Sequence, residues 1–496
     1  MPATCHALGA MQSSNESPVT TSSPAGALVP PGFLFGVATA GFQVEGGFNG
    51  PGEPANNWAG WERAGRVEPS GIALDFWNSY EQHLDRVAAM GCNTFRMSVE
   101  WARVETEDGH FDIDALDRYA SILGACHGRG LTPLVTLHHF THPAWLGEDL
   151  WLSPDSPERY LAWVRRALEA LGDACRHWVT INELNVLAIQ SYLIGMFPPG
   201  RVGDFHSTLR VIDNLLTAHV LAYQEIHSLQ PDAVVSTNNY AMSIYELDRL
   251  FADLLRARSE HVERHELGTW LADRRHAYHE TLSIASRPAW QVAERLLRRM
   301  AAARIPLERS LPRATSAVYS ATSERLCDVN QLDYYDPVIA HHLRLPGHRT
   351  AGGTNWLPGR MLWDDPPDPP GLARYAAANQ EGDIPLWVVE NGMCNRVRRG
   401  RSYPRLDGWS RPRYMTENLA SVVSAIDAGI PVEGYWHWTL ADNYEWGSYE
   451  PRFGIFGIDR ERGARWMPTD SLGNDSATAY RRLISGLRAG DRSVLS

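Results

Sequence analysis

The sequence predicts an α/β fold: a single (β/α)8 barrel, or TIM barrel, with a long helical insertion after the fifth strand. Three observations lead to this prediction. Apolar segments of strand length alternate with amphipathic helical segments, as expected when helices cross over a parallel sheet that is buried on both faces. Eight such strands can be counted, the number that closes a barrel. Two of them end in a glutamate, Glu183 and Glu390, at the edge where such barrels carry their functional side chains.

The apolar segments end in residues that favour turns. The run from Ile384 to Val389 stops at Glu390 and is followed by Asn391-Gly392, which readily leaves a strand for a turn. The predicted strands, in chain order, are Phe33–Ala38, Asn93–Ser98, Thr132–Leu137, His177–Glu183, Ala233–Asn238, Asp328–Tyr335, Pro385–Glu390 and Val432–Trp438.

Helical patterns fill the intervals between the strands. The segment Phe76–Met90 has an apolar face and is followed by Gly91, a residue typical of helix ends. Ser156 and Pro157 predict the start of another helix, as a cap residue followed by proline at the first helical position. The other helices predicted before the fifth strand are Ala115–Cys126 and Ser207–Leu229.

The segment 241–326 interrupts this alternation with a helix-rich and arginine-rich insertion. Because it follows the carboxyl end of the fifth strand, it can lie over the barrel mouth as a lid or a leaving-group site. It can equally be a peripheral, solvated pair of helices. Residues 1–30 are rich in Ser, Pro, Thr and Ala and predict a disordered leader, so that residues 31–490 form the barrel with its insertion.

Composition and charge narrow the function classes. With 46 Lys and Arg against 58 Asp and Glu, a net charge of -12 and a pI near 5.9, nothing favours binding to nucleic acid or an anionic membrane. The six cysteines are scattered, as is typical of reduced, buried thiols in an intracellular protein. The sequence shows neither a membrane-spanning apolar stretch nor a secretory signal pattern, so we expect a cytoplasmic location. The 18 Trp residues suit the faces of sugars, although most are expected in the core.

The two strand-end glutamates indicate a specific chemistry. Cleavage of a glycosidic bond requires at least two carboxyl groups that face each other across a pocket. One is ionised for attack, and the other is protonated to assist the leaving oxygen. A single glutamate at a strand end is often only a salt-bridge partner. The pair Glu183 and Glu390 therefore carries this prediction, rather than either residue alone.

Several sequence motifs occur together in a single order. They are Phe33-Leu34-Phe35-Gly36 with Gln43-Val44-Glu45-Gly46, Phe95-Arg96-Met97-Ser98 with Trp101, Thr180-Ile181-Asn182-Glu183, Glu390-Asn391-Gly392, and the run from Tyr435 to Trp446. In this combination the chain resembles glycoside hydrolase family 1, the β-glucosidase and β-galactosidase family, from about Phe33 to Asp459. A further segment, Met196-Phe197-Pro198-Pro199-Gly200, is similar to the archaeal-type branch of that family.

The resemblance implies a retaining exo-β-glycosidase that needs no cofactor and acts on a small-molecule β-glycoside. It implies that Glu183 is the acid/base and Glu390 the nucleophile. Arg96 would hold Glu390 ionised, and Tyr335 would donate a hydrogen bond to the same carboxylate. Asn182 would bind the sugar 2-hydroxyl, a contact that tightens as the transition state forms.

The same resemblance implies a sugar-binding subsite. Glu445 stands where a carboxylate would repel a 6-phosphate, so the expected substrate is unphosphorylated. Trp363 resembles the tryptophan that packs against the leaving group. The residues implied to line the sugar subsite are Gln43, His139, Asn182, Trp438, Glu445 and Trp446.

Three positions depart from the family pattern. Phe140 stands where the family has tryptophan, Asp333 where it has asparagine, and Leu184 where it has proline. Phe140 and Asp333 predict an altered sugar subsite, in which Asp333 is a substrate-binding residue and adds a third carboxylate able to raise a neighbouring pKa. We hypothesise that the substrate carries an unusual sugar, or a bulky apolar aglycone held by the 241–326 insertion.

Two other functions stay open on the sequence. A transglycosidase would use the same two glutamates but pass the sugar to an alcohol instead of water. A weakly active sugar-binding member of the fold would be expected to lack one glutamate. Both glutamates are present, but the departures at Phe140 and Asp333 leave this alternative open. No metal site is predicted, because His138 and His139 are adjacent in a strand and point to opposite faces, and neither they nor His142 have a carboxylate or cysteine cluster beside them.

Overall fold

The structure is a computed structural model that describes residues 26–282, 307–335 and 367–496, together with Arg295 and Arg299. Its central parallel sheet contains all eight predicted strands in the predicted order, which confirms the barrel. Several strands are shorter than the sequence pattern indicates. The strands are β1 (Leu34–Ala38), β2 (Thr94–Ser98), β3 (Thr132–Thr136), β4 (His177–Val179), β5 (Val234–Ser236 and Asn238–Tyr240), β6 (Asn330–Asp333), β7 (Leu386–Asn391) and β8 (Val432–Trp438).

The fifth strand closes the barrel. Thr237 divides β5 into two segments, of which the first pairs with β4 and the second with β6. The order of pairing around the sheet is β5, β4, β3, β2, β1, β8, β7, β6 and again β5. Because the same strand stands at both ends of this order, the sheet returns to itself.

Packing along β7 explains why the strands are apolar throughout. Trp387 and Val389 belong to one apolar cluster together with Trp436 of β8, whereas Val388 belongs to the larger cluster that also contains the surrounding helices. Every residue of β7 is buried. A strand covered on both faces has room for polar side chains only near its end, where the barrel opens.

The helices agree with the predicted ones in most of their bounds. Helix Phe76–Ala89 is followed by Gly91 in the left-handed conformation (φ +81°), as predicted. The cap residue of the helix Ser156–Leu171 differs from the predicted one. Asp155 holds the cap position, and the Ser156 hydroxyl donates to the Ser153 carbonyl at 2.8 Å instead of capping the helix. The α-helices described outside the insertion are Gly41–Val44, Ala59–Arg63, Phe76–Ala89, Trp101–Val104, Ile113–His127, Ser156–Leu171, Leu184–Ala188, Phe205–Leu229, Pro369–Asn379, Arg411–Asp427 and Ser476–Ala489, and a π-helix covers Ile189–Ile194. Short antiparallel strand pairs are Glu105–Glu107 with His110–Phe111, Arg396–Arg398 with Arg401–Tyr403, and Ile458–Asp459 with Arg465–Trp466.

The described part of the insertion packs against helices on the outside of the barrel. The Arg249 guanidinium donates to the Asn379 carbonyl at 3.0 Å, and Asp213 accepts from the backbone N–H of Ala314 at 2.8 Å. A lid over the mouth stays a prediction, because the insertion's segment 283–306 lies outside the described residues apart from two positions. The helices described in the insertion are Arg249–Arg256, Leu267–Thr281, Leu307–Ser310 and Pro312–Ser320.

Part of the predicted leader packs against the last helix. The Leu28 N–H donates to the Leu487 carbonyl at 3.0 Å, and Val29 is buried. Residues 26–30 therefore belong to the packed chain, whereas residues 1–25 of the predicted leader lie outside the described residues. Past residue 490, Val494 is buried within the short 3-10 helix Arg492–Leu495.

The described cysteines carry free thiols and are buried, as predicted, and Cys5 lies outside the described residues. They are Cys92, Cys126, Cys175, Cys327 and Cys394. Within the described ranges, no helix is both long enough and apolar enough to cross a membrane.

Candidate active site

Glu390 and Asp333 lie side by side at the carboxyl ends of β7 and β6. They are register partners, next to an irregularity in the pairing between Val388 and Glu390. The Tyr334 N–H donates to the Glu390 carbonyl at 2.9 Å, which ties the two strand ends together. Both side chains are buried, with Glu390 3% and Asp333 0% exposed. Irregular pairing of this kind re-aims side chains at the rims of barrels.

Glu183 reaches the same region from beyond the end of β4. The strand ends at Val179, earlier than the predicted end at Glu183, because the chain turns sharply before the helix Leu184–Ala188. Glu183 itself has a left-handed backbone conformation (φ +37°), which a strand cannot contain. The turn leaves its buried carboxyl group beside those of Asp333 and Glu390.

Glu390 receives hydrogen bonds on both carboxylate oxygens. The Arg96 guanidinium donates to Oε1, and the Tyr335 hydroxyl donates to Oε2 at 2.7 Å. Arg96 is fully buried, and its other terminal nitrogen donates to Oδ1 of Asn182 at 2.5 Å. Burial and the charge of Glu390 raise the pKa of Tyr335 well above its ordinary value, so the phenol keeps its proton. Arg96 and Tyr335 thus both contact the carboxylate for which the sequence predicts the role of nucleophile.

Glu183, Asp333 and Glu390 form a cluster in which one oxygen of each carboxyl group lies within 4.8 Å of the others. Burial, followed by the charge of Asp333, raises the pKa of Glu183 well above its ordinary value, while Arg96 opposes the rise. Burial and the charge of Glu390 likewise raise the pKa of Asp333 well above its ordinary value. A single guanidinium cannot balance three buried carboxylates. Glu390, which it contacts, is best placed to hold the negative charge.

Asn238 is a site residue that the sequence analysis did not single out. It begins the second segment of β5, and its amide nitrogen donates to Oδ1 of Asn182 at 2.8 Å and to the carboxylate of Asp333. It therefore joins residues from neighbouring strands into one hydrogen-bonded network. A signal was available, because the predicted fifth strand ends at Asn238 on the same edge as the other site residues.

Gln43, Trp438 and Glu445 form a second polar group. The Gln43 amide nitrogen donates to one oxygen of Glu445 at 2.9 Å, and the Trp438 indole N–H donates to the other at 3.0 Å. Burial raises the pKa of Glu445 to about 8, against the effect of these two hydrogen bonds. The Gln43 carbonyl oxygen is buried without a hydrogen-bond partner among the described residues, so it can accept from a ligand hydroxyl.

His139 connects this group to the carboxyl cluster. Its ring stacks on Trp438 and Trp446, with centroids 6.0 Å and 5.7 Å away. The Asn182 amide nitrogen lies 3.1 Å from Nε2 of His139, and an imidazole that accepts there carries its proton on Nδ1. Burial, with a smaller effect of Arg96, lowers the pKa of His139 well below its ordinary value and keeps the ring neutral.

Phe140 and Leu184, two of the departures from the family pattern, serve as packing residues. Phe140 is 2% exposed, and its ring centroid lies 4.9 Å from that of Trp446 and 5.3 Å from that of Phe197. It supplies an apolar surface but no polar donor. Leu184 is fully buried at the first position of its helix.

Trp363, for which the sequence predicts contact with the leaving group, lies outside the described residues. His138 points away from His139, because the Trp151 indole N–H donates to its Nε2 at 3.3 Å and its ring packs edge-on to Tyr160.

The cluster of three carboxyl groups also has the spacing of a cation site. Both oxygens of Glu390, however, already accept hydrogen bonds from Arg96 and Tyr335. A cation would have to compete with the Arg96 guanidinium for the same carboxylate. The arrangement therefore suits proton transfer better than metal binding.

Known proteins resemble this chain over most of its length. The model of glycosyl hydrolase family 1 matches residues 26–485. The 6-phospho-beta-galactosidase 1 of Streptococcus pneumoniae is 26% identical over 467 residues, which cover 90% of this chain and 97% of that protein. The beta-glucosidase of an Agrobacterium species is 27% identical over 485 residues, covering 94% of this chain and 97% of that protein.

Solved structures share the fold. The beta-glucosidase from Thermotoga maritima in complex with azafagomine has a TM-score of 0.69 and 22% identity, covering 92% of this chain and 98% of that one. The beta-glycosidase from Pyrococcus horikoshii has a TM-score of 0.66 and 23% identity, covering 94% of this chain and 96% of that one. Because the family model extends over nearly the whole chain, including Glu183 and Glu390, the protein belongs to glycosyl hydrolase family 1 and is a glycoside hydrolase.

Proposed function

We propose that this protein is a retaining exo-β-glycosidase, similar to β-glucosidases, that hydrolyses unphosphorylated β-glycosides through a covalent glycosyl-enzyme intermediate. One contrast carries the proposal. Glu390 has a donor on each oxygen, from Arg96 and Tyr335, whereas Glu183 lies beside other carboxyl groups and its Oε1 is buried without a donor. The first environment favours a carboxylate and the second a carboxylic acid, which are the two states that a retaining glycosidase needs.

In the first step, an oxygen of Glu390 attacks the anomeric carbon while the bond from that carbon to the leaving oxygen breaks. Glu183 gives its proton to this oxygen, so the aglycone departs as a neutral alcohol. One oxygen of Glu183 and one oxygen of Glu390 lie within 4.8 Å of each other, which suits direct attack. An inverting enzyme separates its carboxyl groups by roughly 6.5–9.5 Å to leave room for a water.

In the second step, Glu390 is a neutral ester, so its charge no longer opposes ionisation of Glu183. The Glu183 carboxylate takes a proton from a water molecule whose oxygen attacks the anomeric carbon. The bond from that carbon to Glu390 breaks, and the sugar leaves with its original configuration. One residue thereby acts first as an acid and then as a base because its neighbour changes charge.

The charge of the site supports a substrate without phosphate. The chain contains no lysine, and the cation among the described site residues, Arg96, is already bound to Glu390 and Asn182. A phosphate near Glu445 would meet a buried carboxyl group and no partner cation among those residues, which is unfavourable. This distinguishes the proposal from the 6-phospho-beta-galactosidases among the relatives.

The test is a panel of nitrophenyl β-glycosides, each offered with and without a 6-phosphate, followed by proton NMR of the first sugar anomer released. We expect turnover of an unphosphorylated member, release of the β-anomer first, and much slower turnover of its 6-phosphate. Initial release of the α-anomer would contradict the retaining mechanism, and faster cleavage of the phosphorylated partner would contradict the substrate class. Adding methanol separates hydrolysis from transfer, because a transglycosidase would form the methyl glycoside as its main product.

A further inference from the structure

Asp333 adds a carboxyl group to the pair on which the proposed function rests. It is fully buried and stands in register with Glu390 on the neighbouring strand. The proposed two-step mechanism uses Glu183 and Glu390 and leaves Asp333 without a role. An ionisable group buried next to the reacting carboxyls is costly to keep unless it takes part in their proton balance.

One carboxyl oxygen of Asp333 receives no hydrogen bond from the described residues. Asn238 donates to one oxygen of Asp333, while the other, Oδ1, is buried and has no donor among the described residues. Oε1 of Glu183 is in the same condition, and the two carboxyl groups belong to the cluster whose oxygens lie within 4.8 Å. Two adjacent buried acceptors, both without a donor, are satisfied together when a single proton lies between them.

We propose that Glu183 and Asp333 share one proton, and that Asp333 is a positioning residue that keeps a proton available to Glu183 at alkaline pH. The inference rests on the proposed function only in giving Glu183 the role of acid. Asp333 need not touch the substrate for this role. It acts through Glu183, by holding a proton that would otherwise be lost to solvent.

The neighbouring groups favour this assignment. Glu390 faces the pair with its negative charge, and its two donors, Arg96 and Tyr335, are directed to Glu390. The Asn238 amide is the neutral donor to Asp333. Burial raises the pKa values of both members of the pair, the charge of Asp333 raises that of Glu183 further, and the charge of Glu390 raises both. The direction agrees with a proton held on the Glu183 side and accepted by Asp333.

A pair that shares a proton titrates as a unit in two steps. After the first loss, the remaining proton is bound by two carboxylates at once, so the second loss occurs at a higher pH than for either group alone. Because the first chemical step needs that proton, the second loss sets the alkaline limb of the pH profile of kcat/KM. Replacing Asp333 by asparagine removes the shared state and leaves Glu183 to titrate alone.

The first test compares the pH profiles of kcat/KM for the wild type and Asp333→Asn, with the best nitrophenyl glycoside of the panel. We expect the alkaline limb of the variant to move to lower pH by about one unit or more. A matched control is Asp248→Asn, which makes the same change at a buried aspartate that is hydrogen-bonded to Tyr278 within the insertion. Its profile should be unchanged. An unshifted limb in a folded Asp333→Asn protein, or a shift to higher pH, would overturn the proposal.

The second test needs no turnover, so it can be made even if a variant has no measurable activity. Infrared difference spectra between neutral and alkaline pH report the C=O band of protonated carboxyl groups. In the wild type we expect a band that disappears only at alkaline pH, and in Glu183→Gln and Asp333→Asn we expect the remaining carboxyl group to lose its band at lower pH. A band that disappears at the same pH in the wild type and in both variants would show that the proton is not shared. If the anomer test fails while this band behaves as expected, the proposed function is wrong and the shared proton stands.

Discussion

The hydroxyl of Tyr335 donates to Oε2 of Glu390 at 2.7 Å, on the carboxylate oxygen opposite to the one that Arg96 contacts. The two donors together fix the orientation of the carboxylate and stabilise its charge. Tyr335 also stacks on Tyr240, with ring centroids 5.7 Å apart, so a phenylalanine at this position keeps the ring contact. Removing the hydroxyl therefore isolates the hydrogen bond to Glu390.

We predict that Tyr335→Phe lowers kcat/KM by roughly 10- to 100-fold, because a hydrogen bond to a charged group contributes about 1.5–3 kcal/mol. Steady-state kinetics with an aryl glycoside measure the effect. Tyr223→Phe is the matched control, since it removes a 2.6 Å hydroxyl bond to Asp328 outside the site. Equal losses in both variants would mean that Tyr335 contributes to stability alone.

The role of Glu183 as acid predicts a dependence on the leaving group. In Glu183→Gln the amide cannot donate a proton, so glycosides of poorly acidic alcohols should lose about 10²- to 10⁴-fold in kcat/KM. Dinitrophenyl glycosides, whose leaving group needs no proton, should lose far less. A plot of rate against leaving-group pKa would be steep for the variant and shallow for the wild type. Parallel plots would exclude Glu183 as the acid.

Glu100 predicts a pH dependence of stability. It is buried, accepts hydrogen bonds from the Phe42 N–H and the Thr141 hydroxyl, and burial raises its pKa to about 7 from 4.5. Between these values the folded protein keeps a proton that the unfolded chain has lost, so stability falls as pH rises through this window. Glu100→Gln removes this ionisable group and its pH dependence. As pH rises through the window, the free energy of unfolding of the wild type should therefore fall by about 3 kcal/mol more than that of the variant.

The measurement for Glu100 is guanidinium unfolding followed by Trp fluorescence at several pH values from acid to alkaline. The exposed Glu107→Gln serves as control and should follow the wild type at every pH. A difference between wild type and Glu100→Gln that stays constant with pH would contradict the prediction.

The absence of an indole N–H at Phe140 predicts a weaker affinity for the sugar, which a tryptophan at this position should restore. Its ring packs against Trp446 and Phe197, so a tryptophan needs extra room. In Phe140→Trp combined with Phe197→Leu, the new indole N–H should lower KM for glucosides by about fivefold, which is the effect of one net hydrogen bond. Phe140→Leu with Phe197→Leu is the control without a donor. An unchanged KM in the tryptophan variant would mean that Phe140 does not border the sugar.

The barrel could be predicted because its strands are apolar on both faces. The run that ends at Glu390 is visible in the sequence for that reason, and β7 continues through Asn391, one residue further than predicted. The end of β4 could not be predicted to the residue. It depends on the left-handed backbone at Glu183, a conformation that a glutamate does not signal.

The site could be predicted in its residues but not in its contacts. The strand pattern singles out Glu183 and Glu390 as residues that end strands at the same edge, and the family resemblance adds Arg96, which lies within β2. The donation from Asn238 to both Asn182 and Asp333 depends instead on how β5 divides at Thr237 and on side-chain directions across neighbouring strands. An apolar or polar pattern carries no information on such distances.

The most direct test of the central claim, that Glu390 is the nucleophile of a retaining mechanism, is azide rescue of Glu390→Gly. With an activated aryl β-glycoside the variant should be nearly inactive, and azide should restore turnover by entering the space left by the side chain and forming the α-glycosyl azide. Under the same conditions Glu183→Gly should form the β-glycosyl azide, because Glu390 still reacts first. Rescue of Glu390→Gly with a β-configured product, or no rescue by azide while the wild type cleaves the same glycoside, would contradict the claim.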